Sequence, residues 1–97
     1  MNRVELNGTT VDIGQTYATP GALKALEEAE HNGLEFLSRH MNGDWGEVGP
    51  EDWAENDLSV REGFRILSAY TLTTGVKLWI ITEADRSATT VLLPEEY

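Results

Sequence analysis

The sequence GDWGEVGPEDWAEND, residues 43–57, separates a helical first half of the chain from a strand-rich second half. It holds two of the three tryptophans, six of the seventeen acidic residues, and no lysine or arginine. Indole rings bury a large apolar area, whereas carboxylates stay in water. The pattern therefore predicts a connector that tryptophan anchors on the fold and that turns an acidic surface towards solvent.

On the N-terminal side of this connector the sequence predicts a helical hairpin. Thr19-Pro20 supplies a capping hydroxyl and a proline suited to the first helical position, and Asn32-Gly33 ends that helix. A second helix follows from Leu34 to Met41, and Asn42-Gly43 ends it.

Before the helices, short alternating runs at Arg3–Leu6 and Thr9–Ile13 flank Asn7-Gly8. Asn-Gly between such runs favours a type I′ turn, because that turn needs positive φ at both central residues. The sequence predicts an N-terminal β-hairpin here.

On the C-terminal side, Gly49-Pro50 begins a third helix, which Gly63 ends. From Phe64 the apolar period changes to two, and turns separate three strands, Phe64–Leu72, Val76–Thr82 and Ala88–Leu93. The predicted fold class is α+β, in one domain over residues 1–97. An N-terminal β-hairpin and two or three helices precede a three-stranded antiparallel meander, with the helices packed on one face.

Composition excludes several classes of function. The 97 residues contain no cysteine, which rules out disulfides and thiolate chemistry, and no apolar run long enough to span a bilayer. The net charge of −10 should repel nucleic acid and anionic membrane, since both are themselves anionic. We expect a soluble cytoplasmic protein without a cofactor, whose partner is a basic protein.

The candidate partner-binding residues all lie in the connector. The acidic spacing does not fit a calcium loop, so we expect a partner-facing surface and no metal site. Trp45 has two interpretations, an anchor in the core or a side chain that contacts the partner. The set is Asp44, Trp45, Glu47, Glu51, Asp52, Glu55 and Asp57.

The sequence also resembles two groups of known proteins. The segments ATPGALKALEEA, SRHMNGDWG, EDWAEND, GFRILSAYTL and KLWIITEADRSATTVLLPEEY resemble a family of small bacterial proteins met on plasmids and other mobile elements, often labelled plasmid-related protein. The resemblance runs from about Gly14 onward. It implies a mobile-element setting and a role in interaction with the host, such as anti-defence.

The second resemblance concerns architecture. GFRILSAY followed by KLWIITEADRSATTVL is similar to the sheet half of barnase-like ribonucleases, which use a glutamate base, an arginine and usually a histidine acid. The resemblance implies Glu83 and Arg65 for the first two roles. Asp85-Arg86 stands where the histidine is expected, which leaves either His40 as the acid or a likeness of architecture alone.

Three hypotheses follow. The first is a small acidic module that binds a basic protein, in its sharpest form by mimicking the phosphates that a host nucleic-acid-binding enzyme recognises. The second is a toxin-like ribonuclease that uses Arg65, Glu83, Arg86 and His40. The third is an accessory domain that forms a homodimer through an uncovered sheet face or edge strand.

Overall fold

The computed structural model describes residues 10–97, and these form an α+β fold with three helices and a four-stranded mixed sheet. The elements are β1 (Gln15–Ala18), α1 (Pro20–Glu28), α2 (Gly33–Met41), α3 (Pro50–Glu62), β2 (Ile66–Thr71), β3 (Lys77–Thr82), β4 (Ala88–Leu92) and a 3₁₀ turn (Pro94–Glu96). The α+β class and the helical segments were predicted from turn and capping residues. The side chain of Thr19, for example, accepts a hydrogen bond from the Ala22 backbone at 3.1 Å.

The prediction of a three-stranded antiparallel sheet is wrong in one respect. The strand order is β1-β4-β3-β2, and β1 runs parallel to β4 with Gln15 opposite Ala88. The remaining neighbours, β4 with β3 and β3 with β2, are antiparallel. The segment QTYA has little apolar content and all four residues are exposed, so its role as an edge strand left no alternating pattern in the sequence.

The predicted N-terminal hairpin lies mostly outside the described residues. Of its second arm, residues 10–13 are described and form no strand. Val11 instead donates its backbone N–H to the Met41 carbonyl at 2.8 Å and is buried against Trp45 and Ile66. An irregular segment that packs against the end of α2 therefore takes the place of this arm.

The main core lies between the sheet and the first two helices. Alternate residues of β2, β3 and β4 point inward, as the two-residue period requires. Tyr70, Leu78, Ile80 and Val91 pack there against the helices, on which Leu26 is buried. A second cluster, which includes Trp45, Ile66 and Val11, lies under α3.

The opposite face of the sheet is covered in part by the C-terminal residue. The Tyr97 ring packs edge-on against Trp79 of β3, with ring centroids 5.8 Å apart. Arg65 donates from Nη2 to the Tyr97 hydroxyl at 2.6 Å and places its guanidinium over the same ring. Arg65 is therefore positioned by Tyr97, on the face of the sheet away from the main core.

Candidate protein-binding groove

Trp45 anchors the connector in the core. Its side chain is 0% exposed, and its Nε1 donates to Asp57 Oδ1 of α3 at 2.9 Å. The interpretation of Trp45 as a core anchor is therefore confirmed and its assignment as a partner-contact residue is wrong, because a fully buried ring offers no surface to another protein.

The backbone around Trp45 pairs with the outer edge of β2. The Trp45 carbonyl accepts from the Ala69 N–H at 3.1 Å, and the Glu47 N–H donates to the Ala69 carbonyl at 2.7 Å. Gly46 between them has φ +75°, and a Cβ at that position would lie 2.0 Å from the Ala69 carbonyl oxygen. Only glycine fits such a close approach of two backbones.

Asp44 forms an ion pair with Arg39 at the surface, where both side chains are 45% exposed. Its carboxylate accepts from Arg39 Nε at 2.7 Å and from the Gly46 N–H at 3.1 Å. The hydrogen bond from Arg39 is the main cause that holds the pKa of Asp44 below its ordinary value. Asp44 therefore stabilises the turn after α2 and offers little free charge to a partner.

Two more of the predicted acidic residues have partners within the chain. Glu47 Oε1 accepts from the Thr71 hydroxyl at 2.7 Å and from Lys77 Nζ at 3.3 Å, and these two bonds lower the pKa of Glu47. Asp57 accepts the indole N–H of Trp45. Two of the six connector carboxylates, those of Asp44 and Glu47, are therefore paired with a cation, whereas the neutral indole leaves the charge of Asp57 in place.

The remaining three carboxylates line a groove between α3 and β2. Glu51, Asp52 and Glu55 are exposed, and no ion pair or hydrogen bond joins their side chains to another described residue. Residues three and four positions apart share one face of a helix, which brings the three together. The groove has a volume of about 700 Å³. Its other lining residues are Val48, Ala54, Asn56, Leu58, Arg65 and Leu67.

The groove combines apolar and charged walls. Leu58 of α3 remains 39% exposed, and Arg65 is the single basic residue among the described residues that line it. The groove therefore has three carboxylates against one guanidinium, which Tyr97 holds in place. A ligand that offers several cationic groups and some apolar surface matches this arrangement.

Asn56 fixes α3 along the edge of β2 and forms the floor of the groove. Its amide Nδ2 donates to the Leu67 carbonyl at 2.8 Å, and its Oδ1 accepts from the Leu67 N–H at 3.3 Å. The Asn56 side chain thereby makes the two backbone hydrogen bonds that a neighbouring strand would make to Leu67. Together with the bonds to Ala69, it leaves the outer edge of β2 covered.

Replacing Asn56 by alanine should lower the free energy of unfolding by about 2 kcal/mol, because the partly buried N–H and carbonyl of Leu67 lose their partners. Asn56→Asp should also destabilise, since it keeps the acceptor but removes the donor to Leu67. Urea unfolding measures both. Glu62→Ala, an exposed change on the same helix, serves as the control. Equal unfolding midpoints for Asn56→Ala and Glu62→Ala would contradict this role.

His40 lies in a buried chain of hydroxyl groups. Its Nδ1 is 2.6 Å from Ser68 Oγ, and its Nε2 is 2.8 Å from Thr82 Oγ1. Thr82 Oγ1 is in turn 2.7 Å from Thr89 Oγ1, which donates to the Ile13 carbonyl at 2.7 Å. His40, Ser68, Thr82 and Thr89 are all buried.

The direction of each hydrogen bond in this network follows from the Ile13 carbonyl at one end of it. The Ile13 carbonyl only accepts, so the single Thr89 proton is committed to it and Thr82 must donate to Thr89. His40 Nε2 then carries the imidazole proton and donates to Thr82, while Ser68 donates to Nδ1. Burial, with a smaller contribution from the charge of Arg86, lowers the pKa of His40 to about 4. His40 is therefore a neutral structural residue at pH 7.

The residues of the ribonuclease hypothesis are not brought together at an open site. His40 is 0% exposed, so no substrate reaches its ring or the neighbouring Ser68 hydroxyl. The Arg86 guanidinium is occupied by backbone carbonyls, among them Ser59 at 2.7 Å and Phe64 at 2.8 Å. Arg65 is held by Tyr97, and Glu83 is exposed in the turn after β3.

Sequence reasoning missed the polar residues that hold the site in place. Ser68, Thr82 and Thr89 occupy inward positions of the strands, and Asn56 lies on the buried side of α3. A polar residue at an inward position of an alternating strand was an available signal, since such groups need partners when buried. The partners themselves come from residues up to 76 positions away in the chain.

Comparisons with models of protein families, with curated proteins and with solved structures give no match to this chain. Within residues 10–97, no helix has the length and apolar content needed to cross a membrane. The same part of the chain holds no group of three or more histidine, cysteine or acidic residues placed to bind a metal ion.

Proposed function

We propose that this chain is a protein-binding module whose groove along α3 receives a basic surface of another protein. One observation carries the proposal. Glu51, Asp52 and Glu55 share one face of α3 and have no partner among the described residues, whereas Asp44, Glu47 and Asp57 are all bonded within the fold. Within the connector, the three carboxylates without a partner therefore line one groove.

The position of these carboxylates also has a purely structural benefit. Glu51 and Asp52 lie in the first turn of α3, where negative charge complements the helix dipole. That benefit needs only the first turn and does not explain Glu55 in the second. Nor does it explain why no lysine or arginine of the described residues pairs with any of the three.

The net charge of the chain favours a basic protein as the partner over nucleic acid or lipid. A chain of charge −10 is repelled by nucleic acid and by anionic lipid, and it is attracted to a protein with clustered lysine or arginine. Proteins that bind nucleic acid carry such clusters. In the finer form of the proposal, the α3 carboxylates occupy the phosphate-binding surface of such an enzyme. The resemblance to mobile-element proteins supports a host defence enzyme as the target.

The proposal is tested with a fluorescein-labelled octa-arginine peptide as a basic probe. The wild-type chain is compared with a triple variant, Glu51→Gln, Asp52→Asn and Glu55→Gln, by fluorescence anisotropy. The control triple, Glu28→Gln, Glu83→Gln and Glu95→Gln, changes the net charge equally at exposed positions elsewhere. We expect the groove variant to bind about tenfold more weakly, and the control to bind nearly as well as the wild type.

Salt gives a second criterion. Affinity should fall steeply as ionic strength rises, because exposed charge pairs are screened over roughly 10 Å at 0.1 M salt. Equal losses in the two triple variants would contradict the proposal, since the binding would then follow net charge and not the groove. Binding that salt leaves unchanged would contradict it as well.

A further inference from the structure

Within residues 10–97, no strand pairs with the outer edge of β1. The N–H groups of Gln15 and Thr19 donate to β4 and the turn before it, so those of Thr16 and Ala18, one residue along, point away from the sheet. All four residues of β1 are exposed, and no other described strand pairs with this edge. The contrast with β2 is clear, because Asn56 and the backbone at Trp45 and Glu47 cover that edge.

An apolar groove runs beside this open edge, on the helical side of the sheet. It has a volume of about 430 Å³. Ala18 and Val91 form part of its sheet wall, and Leu23, Leu26 and Leu34 belong to its helical wall. Leu23 is 57% exposed and Leu34 is 68% exposed, so the groove presents apolar side chains to solvent.

The charge at the groove has one sign. Glu27 is the only aspartate, glutamate, lysine or arginine among the described residues that line it, and its carboxylate has no partner among them. An apolar groove next to a row of free backbone donors and acceptors matches an extended chain. Such a chain pairs through its backbone and places alternate side chains in the groove.

We propose that the β1 edge and its groove bind an extended segment of another protein. The segment has apolar residues at alternate positions and a lysine or arginine opposite Glu27. It adds a fifth strand to the sheet beside β1. A second copy of this chain fits less well, because each copy carries a charge of −10 and would bring another Glu27 to the same region. The surface is separate from the α3 groove, so this inference does not rest on the proposed function.

The test uses a phage-displayed random dodecapeptide library selected on the chain of residues 1–97. We expect enriched sequences in which apolar residues alternate and lysine or arginine recurs. Synthetic copies of the two most enriched peptides are then labelled and measured by anisotropy. Ala18→Pro removes an outward N–H and should weaken binding by about tenfold, because proline interrupts strand pairing. N-methylation of the alternate peptide residues whose N–H groups face β1 should have the same effect. Both alternating sets of residues are methylated in turn, because the register of the peptide is not known beforehand.

Matched side-chain variants separate the groove from general apolar binding. Leu34→Ser should weaken binding of the peptides. Leu58→Ser, which changes an exposed leucine of α3, should leave their affinity within about twofold of the wild-type value. The triple variant of the α3 groove should bind these peptides as well as the wild type does. Loss of peptide binding at the β1 edge can then be told apart from loss of binding at the α3 groove. Circular dichroism and thermal unfolding confirm that each variant is folded.

Three outcomes would overturn the inference. One is the absence of enriched peptides. Another is binding that both Leu34→Ser and peptide N-methylation leave unchanged. The third is a dimer, seen by light scattering, that Ala18→Pro dissociates, since the edge would then belong to a second copy of the chain.

Discussion

Replacing Trp45 by alanine should lower the free energy of unfolding by about 3–5 kcal/mol, the usual range for a fully buried tryptophan. The side chain is 0% exposed and packs at the centre of the second core cluster, where its ring lies 5.6 Å from that of His40. Its loss leaves a cavity between α3 and the sheet. Domains of this size have only about 5–15 kcal/mol of stability, so the change removes a large part of it.

Urea unfolding of Trp45→Ala and two matched variants measures this effect. Trp45→Phe keeps most of the ring volume but loses the N–H bond to Asp57, so it should cost clearly less than Trp45→Ala. Trp79→Ala removes a half-buried tryptophan from the opposite face of the sheet and should also cost less. A Trp45→Ala variant no less stable than Trp79→Ala would show that Trp45 does not anchor the connector.

Acid should destabilise the fold through His40. Its pKa is lowered from 6.5 to about 4 in the folded chain, so unfolding is accompanied by proton uptake between these values. A group whose folded pKa is depressed contributes its full stability above the unfolded pKa of 6.5 and loses it as pH falls towards 4. At about 1.4 kcal/mol per pH unit, the loss attributable to His40 over this window is about 3 kcal/mol.

The expected result is a difference in slope between variants. The free energy of unfolding of the wild type should fall more steeply from pH 6.5 to pH 4 than that of His40→Gln, which has no imidazole to protonate. Parallel curves for the wild type and His40→Gln would contradict a neutral buried His40. Carboxylates such as Asp44 contribute equally in the wild type and in His40→Gln, so the comparison isolates His40.

Local signals in the sequence predicted the helices and three of the strands. Thr19-Pro20, Gly49-Pro50 and the left-handed Gly63 end or begin helices by their own backbone preferences. The parallel strand β1 could not be predicted in this way, because QTYA becomes a strand only through pairing with β4, more than 70 residues further along the chain. Tertiary pairing of this kind leaves no local periodicity.

The sequence located the segment that contains the candidate site, but it did not show which of its carboxylates are unpaired in the fold. Composition located the acidic residues, yet which of them remain free depends on partners distant in sequence. Lys77 pairs with Glu47 across 30 positions, and the Trp45 indole reaches Asp57 across 12. The carboxylates of Glu51, Asp52 and Glu55 differ from these only in having no such neighbour, which a sequence pattern does not reveal.

We propose that the carboxylates of Glu51, Asp52 and Glu55 on α3 form the surface that binds a basic partner. The most direct measurement is a titration of the ¹⁵N-labelled chain with the octa-arginine peptide, followed by amide chemical shifts. We predict that the largest shifts fall on residues 51–58 of α3 and on the adjacent edge of β2. Shifts spread evenly over all exposed acidic residues, or centred on the carboxylates of α1, would show that α3 is not the binding surface.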